Sequence, residues 1–221
     1  LLWALLLVHL FKYPFFQFGP RYAAATGETL LDGYRKLGKP VLVAYYIINF
    51  ATMFTIQATV TIVTAGLASQ LFGVSDNLIL WSVVITIISL LILIIGRYKL
   101  LDNLMKYIIV LLTISTIVAV SVALFSNKES FDLTQIIPNG TIEITFLIAF
   151  LGWMPAPLDV SIWHSIWTLE KDKTTHQKTK PKQAIFDFNI GYIGTLFLGV
   201  CFVLLGALVM YHSGETFSSN G

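Results

Sequence analysis

The stretch Trp153-Met154-Pro155-Ala156-Pro157-Leu158-Asp159 lies inside a long apolar run at residues 142–167. A proline lacks a backbone N–H and clashes with the preceding turn, so Pro155 and Pro157 predict a break in the helix. In a bilayer, carbonyls freed in this way have to be buried in protein or line a cavity. The carboxylate of Asp159 follows within a turn, and a charge at that depth needs a partner or a function. A broken helix with bare carbonyls, a thioether and an acid is suited to binding an ion.

The composition places the chain in a membrane. Hydrophobic residues make up 56% of the sequence and charged residues 12%, which is far from the average of soluble domains. The net charge of +2 is too small to indicate a nucleic-acid partner. The single cysteine, Cys201, excludes a disulfide framework within the chain. We therefore expect an all-α, polytopic, integral membrane protein of the cytoplasmic or plasma membrane.

Six apolar segments are long enough to span a bilayer, which takes about 20 residues. We expect one transmembrane domain over residues 1–221, with spans near 1–18, 41–72, 78–95, 107–125, 142–167 with its central break, and 184–211. The chain begins within an apolar run and without Met, so we expect it to be a piece of a longer protein.

The basic residues support this order of spans. If the first span runs inward, the inward loops hold almost all of them and the outward loops hold only Lys128, as the positive-inside rule requires. Both ends of the chain then lie outside. The inward basic residues are Arg21, Arg35, Lys36, Lys39, Arg97, Lys99, Lys106, Lys171, Lys173, Lys178, Lys180 and Lys182.

Polar residues inside the spans have more than one interpretation. Lys12, in the first span, either snorkels to the interface or faces a polar pathway. His164 lies five residues after Asp159, but one His and one Asp without a third partner are weak evidence for an enzyme. Nucleotide-binding and zinc-protease motifs are absent from the sequence. We expect no enzymatic activity.

The run from Gly152 to Ser165 resembles the sixth transmembrane helix of the natural-resistance-associated macrophage protein (Nramp) family of metal-ion transporters. Members typically carry Met-Pro-His-Asn-Leu there, followed by a His-Ser pair, which His164 and Ser165 match with a displacement of about three residues. Residues 1–7 and 25–30 resemble the second helix and its exit, and residues 70–73 resemble the end of the third. All six spans match helices two to seven in order and spacing.

This resemblance implies a LeuT-type architecture of two inverted repeats with broken first and sixth helices. It also implies that the sulfur of Met154 and the backbone carbonyl of Leu151 bind the transported metal. A thioether is a soft ligand that favours manganese- or iron-like ions over magnesium or calcium. No cofactor is implied, since the divalent metal ion is the transported substrate.

The sequence departs from the family pattern at several positions. Ala156 and Pro157 replace the His and Asn that follow Met-Pro, and the third helix lacks the acidic residues of the proton route, one of which Gln57 replaces. Asp159 is then either a substitute charge, with Gln57 and His164, on an ion or proton pathway, or an acid favoured by the dipole at a helix start.

We therefore predict secondary active transport of divalent cations by alternating access, with membrane lipids and metal ions as partners and no nucleic acid. Two alternatives remain open. One is a LeuT-fold symporter for another solute or ion, and the other is a non-transporting membrane sensor or enzyme. The sequence does not determine the oligomeric state.

Overall fold

The computed structural model describes residues 1–126 and 137–210, apart from the side chains of Arg97 and Met210. Every regular element in this part of the chain is helical. The elements are α1 (Leu2–Thr26), α2 (Leu30–Leu37), α3 (Lys39–Phe72), α4 (Leu78–Ser126), α5 (Thr141–Trp153), α6 (Val160–Thr175), α7 (Pro181–Leu205) and a π-helical turn at Gly206–Met210. The predicted loop with Lys128 and the C-terminal tail fall on residues 127–136 and 211–221, which lie outside the described residues.

The helices have the length and composition of a polytopic membrane protein. Four helical stretches in the described chain are apolar enough and long enough to cross a bilayer: Lys39–Phe72, Leu78–Gly96, Tyr98–Ser126 and Pro181–Val209. A fifth apolar helix, α5, has 13 residues and is shorter than a span. The all-α polytopic class predicted from the sequence is confirmed.

The third and fourth predicted spans differ from the expectation of two helices joined by a short basic loop. They form one helix of 49 residues, α4, which runs through the basic segment between them. The reason is local, because this segment contains good helix formers and no proline. It also holds an i, i+4 ion pair, in which the Nζ atom of Lys106 lies 2.6 Å from a carboxylate oxygen of Asp102.

The helices fall into two compact units, Leu1–Leu30 with Ile108–Gly221, and Leu31–Tyr107. In the second unit, α3 ends at Gly73, whose φ of 61° suits a residue without a side chain. Asn77 then caps α4, since its Oδ1 accepts hydrogen bonds from the N–H groups of Ile79 and Leu80 at 3.0 and 3.2 Å. The indole of Trp81 stacks on Phe72 across this turn.

In the first unit, α1 packs mainly against α6 and α7 and also touches α5. Small residues allow this packing, as is usual between membrane helices. Gly19 of α1 faces the backbone of Ser161 in α6, and Gly199 of α7 faces the side chain of Leu5. The apolar residues buried in this unit include Ala4, Leu5, Val8, Phe16, Ala23, Ala24, Leu30, Ile162, Ala184, Phe188 and Cys201.

Ser165 ties the start of α2 to α6. Its side chain is fully buried, its Oγ accepts a hydrogen bond from the Leu30 N–H at 3.1 Å, and it donates to the Ile162 carbonyl at 2.6 Å. The substitution Ser165→Ala would leave the buried Leu30 N–H without its acceptor. We expect it to destabilise the protein by about 1–3 kcal/mol.

The measurement is the thermal unfolding midpoint in detergent. The control is Ser115→Ala, because Ser115 is exposed and its hydroxyl donates to the Leu112 carbonyl of its own helix. Equal unfolding midpoints for the two variants would contradict the assigned role of Ser165.

Candidate functional site

The site begins with an interruption between α5 and α6. α5 ends at Trp153, and Met154 adopts an extended conformation with φ −86° and ψ 136°. The Met154–Pro155 peptide bond is cis. α6 begins at Val160, so residues 154–159 are not helical. The interruption lies where the two prolines do.

The prolines explain which carbonyls the interruption leaves bare. In a continuous α-helix the carbonyl of each residue accepts from the N–H four positions later. The carbonyl of Leu151 would need the N–H of residue 155, and that of Trp153 would need the N–H of residue 157. Both positions are proline and have no N–H to give. The end of α5 therefore presents carbonyl oxygens that need donors from elsewhere.

The side chain of Lys12, from the middle of α1, supplies a donor to the Leu151 carbonyl and to other carbonyls at the end of α5. Its Nζ atom donates to the carbonyl oxygens of Leu151 at 2.8 Å, Gly152 at 2.8 Å and Met154 at 2.7 Å. The carbonyl oxygen of Ala156 lies at 3.5 Å. A lysine ammonium has three N–H donors, and the three short contacts match that number. Lys12 therefore does not snorkel to the interface but faces the polar interior of the interruption.

The charge of Lys12 is balanced by carbonyl dipoles alone within the part of the chain that the structure describes. Within residues 1–126 and 137–210, every hydrogen bond of its ammonium goes to a backbone oxygen. Those residues place no carboxylate within ion-pair distance of it. A cluster of carbonyl oxygens around one positive charge is the arrangement that protein sites for bound cations also use.

A network of aromatic and polar side chains holds α1 beside α7, next to Lys12. The hydroxyl of Tyr13 donates to Oδ1 of Asn189 at 2.7 Å and accepts from Gln17 at 2.6 Å. The hydroxyl of Tyr192 donates to the His9 carbonyl at 2.7 Å. Because these bonds fix the rotation of α1, they position Lys12 opposite the end of α5.

Comparison with known proteins identifies the family. A family model described as "Natural resistance-associated macrophage protein-like" matches residues 1–220. The chain belongs to the Nramp family. It is also 38% identical over 217 residues to "Uncharacterized protein PM0681" of Pasteurella multocida (strain Pm70), a match that covers 96% of this chain and 49% of that protein. The chain thus spans about half the length of this curated relative. No solved structure matches the chain.

Membership of the Nramp family, together with the apolar helices, establishes the chain as an integral, multi-pass membrane protein, as the sequence predicted. Within this Nramp chain, the predicted ligands Leu151 and Met154 lie together at the end of α5. The side chain of Met154 is half-buried, and both backbone carbonyls contact Lys12. Their roles as metal ligands stay predictions.

Of the other predicted site residues, Asp159 and His164 lie at or near the start of α6, and Gln57 lies in α3. Asp159 occupies the cap position of α6 without a capping hydrogen bond from its side chain. The ring of His164 packs against Phe16 and Phe188, and its buried Nδ1 has no hydrogen-bond partner in the described chain. Gln57 belongs to the other unit, where its amide donates to Thr61 at 3.3 Å.

The described part of this Nramp chain contains no cluster of acidic, His or Cys side chains suited to a metal ion. Across residues 1–126 and 137–210, no group of three or more His, Cys, Asp or Glu side chains is placed to hold a metal ion. Backbone carbonyls, the Met154 thioether and the Asp159 carboxylate are the donor groups within the interruption. Lys12, a lysine in the middle of an apolar run, had two interpretations from the sequence, and the structure supports the one in which it faces a polar environment.

Proposed function

We propose that the protein containing this chain is a secondary transporter of divalent metal cations of the manganese or iron type. Two observations support the proposal. The chain belongs to a family of metal-ion transporters, and its α5–α6 interruption directs several carbonyl oxygens at one point and includes Met154, whose thioether is a possible ligand. The carbonyl cluster carries the proposal, because cation coordination is the most direct use of bare backbone oxygens in a membrane.

In the proposed mechanism, the cation sits at the end of α5 with the Leu151 carbonyl and the Met154 sulfur among its ligands. The half-helices on either side open the site alternately to the two faces of the membrane by a rocking movement of helix bundles. A thioether would favour manganese- or iron-like ions over calcium and magnesium, which prefer oxygen ligands.

A second candidate is transport of another solute or ion by the same architecture. The position of Lys12 favours it, because an ammonium already occupies the carbonyl cluster. The absence of a carboxylate or histidine cluster from the described residues points the same way. Uptake of a monovalent cation or an organic solute, without uptake of any divalent ion, would support this candidate.

The substitution Met154→Ala tests the proposed site. Loss of a residue that only orients a metal ligand typically costs about 10–100-fold in metal affinity, so loss of a direct ligand should lower Mn²⁺ affinity by about tenfold or more. The measurement is Mn²⁺ uptake by the full-length protein in liposomes, followed with an internal fluorescent indicator over a range of Mn²⁺ concentrations.

The matched control is Met53→Ala, at an exposed methionine of α3. It should leave uptake unchanged. Uptake that is insensitive to Met154→Ala would remove Met154 from the site, and a wild-type protein that moves no divalent ion would exclude the function itself.

A further inference from the structure

The contacts of Lys12 have a consequence for how the proposed cation site is filled. Three carbonyl oxygens at 2.7–2.8 Å and a fourth at 3.5 Å surround its Nζ atom. These four acceptors come from residues 151–156, and the donor comes from a helix far away in the sequence. The ammonium thus occupies the place where the same oxygens would bind a free cation.

A divalent cation and the Lys12 ammonium could not share this place. Each would lie a few ångströms from the other, and like charges at such a distance repel strongly where water is scarce. No carboxylate of the described residues lies within ion-pair distance of Lys12 to offset that repulsion. The carbonyl oxygens of Leu151 and Met154 would also have to give up their hydrogen bonds to Lys12 before they could coordinate a metal ion. Occupation by one therefore excludes the other.

Lys12 is able to leave. Its four-carbon stem is flexible, and its side chain is half-buried rather than enclosed. Within residues 1–126 and 137–210 its hydrogen bonds all end on backbone oxygens, so its departure would strand no buried carboxylate there. An incoming cation would take over the acceptors that Lys12 gives up, and the ammonium would return when the cation is released.

We propose that Lys12 is a tethered cation that competes with the transported divalent ion for the carbonyl oxygens of Leu151, Gly152 and Met154. This inference rests on the proposed function and adds a specificity-determining residue to it. When no divalent ion is bound, the ammonium of Lys12 occupies the site, and this competition weakens divalent binding. It also couples release of the cargo to the return of an internal charge.

The test is the Kd for Mn²⁺ of the purified full-length protein, measured by calorimetry, for wild type, Lys12→Leu and Lys12→Arg. Leucine is apolar and brings neither a charge nor a metal-binding atom, so Lys12→Leu should bind Mn²⁺ about tenfold more tightly or better. Arginine retains the charge, so Lys12→Arg should bind as weakly as wild type. The control Lys171→Leu removes an exposed lysine that pairs with Asp187 and should leave Kd unchanged.

The outcomes separate this inference from the proposed function. Tighter binding by Lys12→Leu supports competition, and it does so even if the wild type binds no Mn²⁺ at all. Equal Kd values for wild type and Lys12→Leu overturn the inference while leaving the transporter intact. Weaker binding by a Lys12→Leu protein that unfolds at the wild-type temperature also overturns it, because Lys12 would then help to build the site. If neither wild type nor Lys12→Leu binds Mn²⁺, both the function and the inference fail.

Discussion

Replacing Pro155 and Pro157 together with alanine is expected to abolish uptake of divalent cations by the full-length protein. Each alanine restores a backbone N–H, and these two N–H groups would donate to the carbonyls of Leu151 and Trp153. Alanine favours a helix interior over proline by about 3 kcal/mol at each position. α5 and α6 would then merge through residues 154–159, and the oxygens that Lys12 now contacts would be taken up within the helix.

The measurement is Mn²⁺ uptake in liposomes, with the unfolding midpoint recorded to show that the variant is folded. The control is Pro40→Ala. Pro40 is the second residue of α3, and a helix tolerates proline in its first turn, so this change should leave uptake unaltered. A double variant that transports at the wild-type rate would contradict the assignment of the cation site to the interruption.

A side chain at Gly19 is expected to disrupt the packing of α1 against α6. A Cβ atom built at Gly19 would lie 2.2 Å from the carbonyl oxygen of Ser161, which belongs to the first turn of α6. That oxygen is part of a backbone and cannot move aside alone, so the two helices would have to separate. Overpacking typically costs 1–3 kcal/mol, and for Gly19→Val we expect about 3 kcal/mol or more, with loss of folded protein.

The yield of monodisperse protein in detergent and its unfolding midpoint measure this effect. Gly194→Val in α7 serves as the control, because a Cβ atom at Gly194 meets no atom of the described chain within 4 Å. Should Gly19→Val express and unfold like Gly194→Val, the close approach of α1 and α6 would be wrong.

The sequence predicted most of what local chemistry decides. The prolines at 155 and 157 are sufficient to place an interruption, because a missing N–H acts within one turn whatever surrounds it. The apolar runs likewise predicted helices, whereas the side of the membrane that the basic residues assign to each loop stays a prediction. The predicted loop between residues 95 and 107 was wrong, because its charged residues were interpreted as a solvated turn. The lysines and leucines of this segment favour a helix, and so does the ion pair between Asp102 and Lys106.

The contact between Lys12 and the end of α5 could not be predicted in the same way. The two partners are separated by about 140 residues, and the hydrogen bonds end on backbone oxygens that no side-chain pattern reveals. The sequence left Lys12 with two interpretations, and only the packing of α1 distinguishes them. The hydrogen bond from Tyr13 to Asn189 and the one from Tyr192 to the His9 carbonyl also join residues far apart in the sequence.

Binding of the cation at the end of α5 is best tested by an experimental structure of the full-length protein with Mn²⁺, in which anomalous scattering locates the ion. We expect an ion in coordination distance of the Leu151 carbonyl and the Met154 sulfur, with the Lys12 ammonium displaced from those oxygens. A Mn²⁺ ion bound elsewhere, with Lys12 still hydrogen-bonded to Leu151, Gly152 and Met154, would exclude the end of α5 as the cation site.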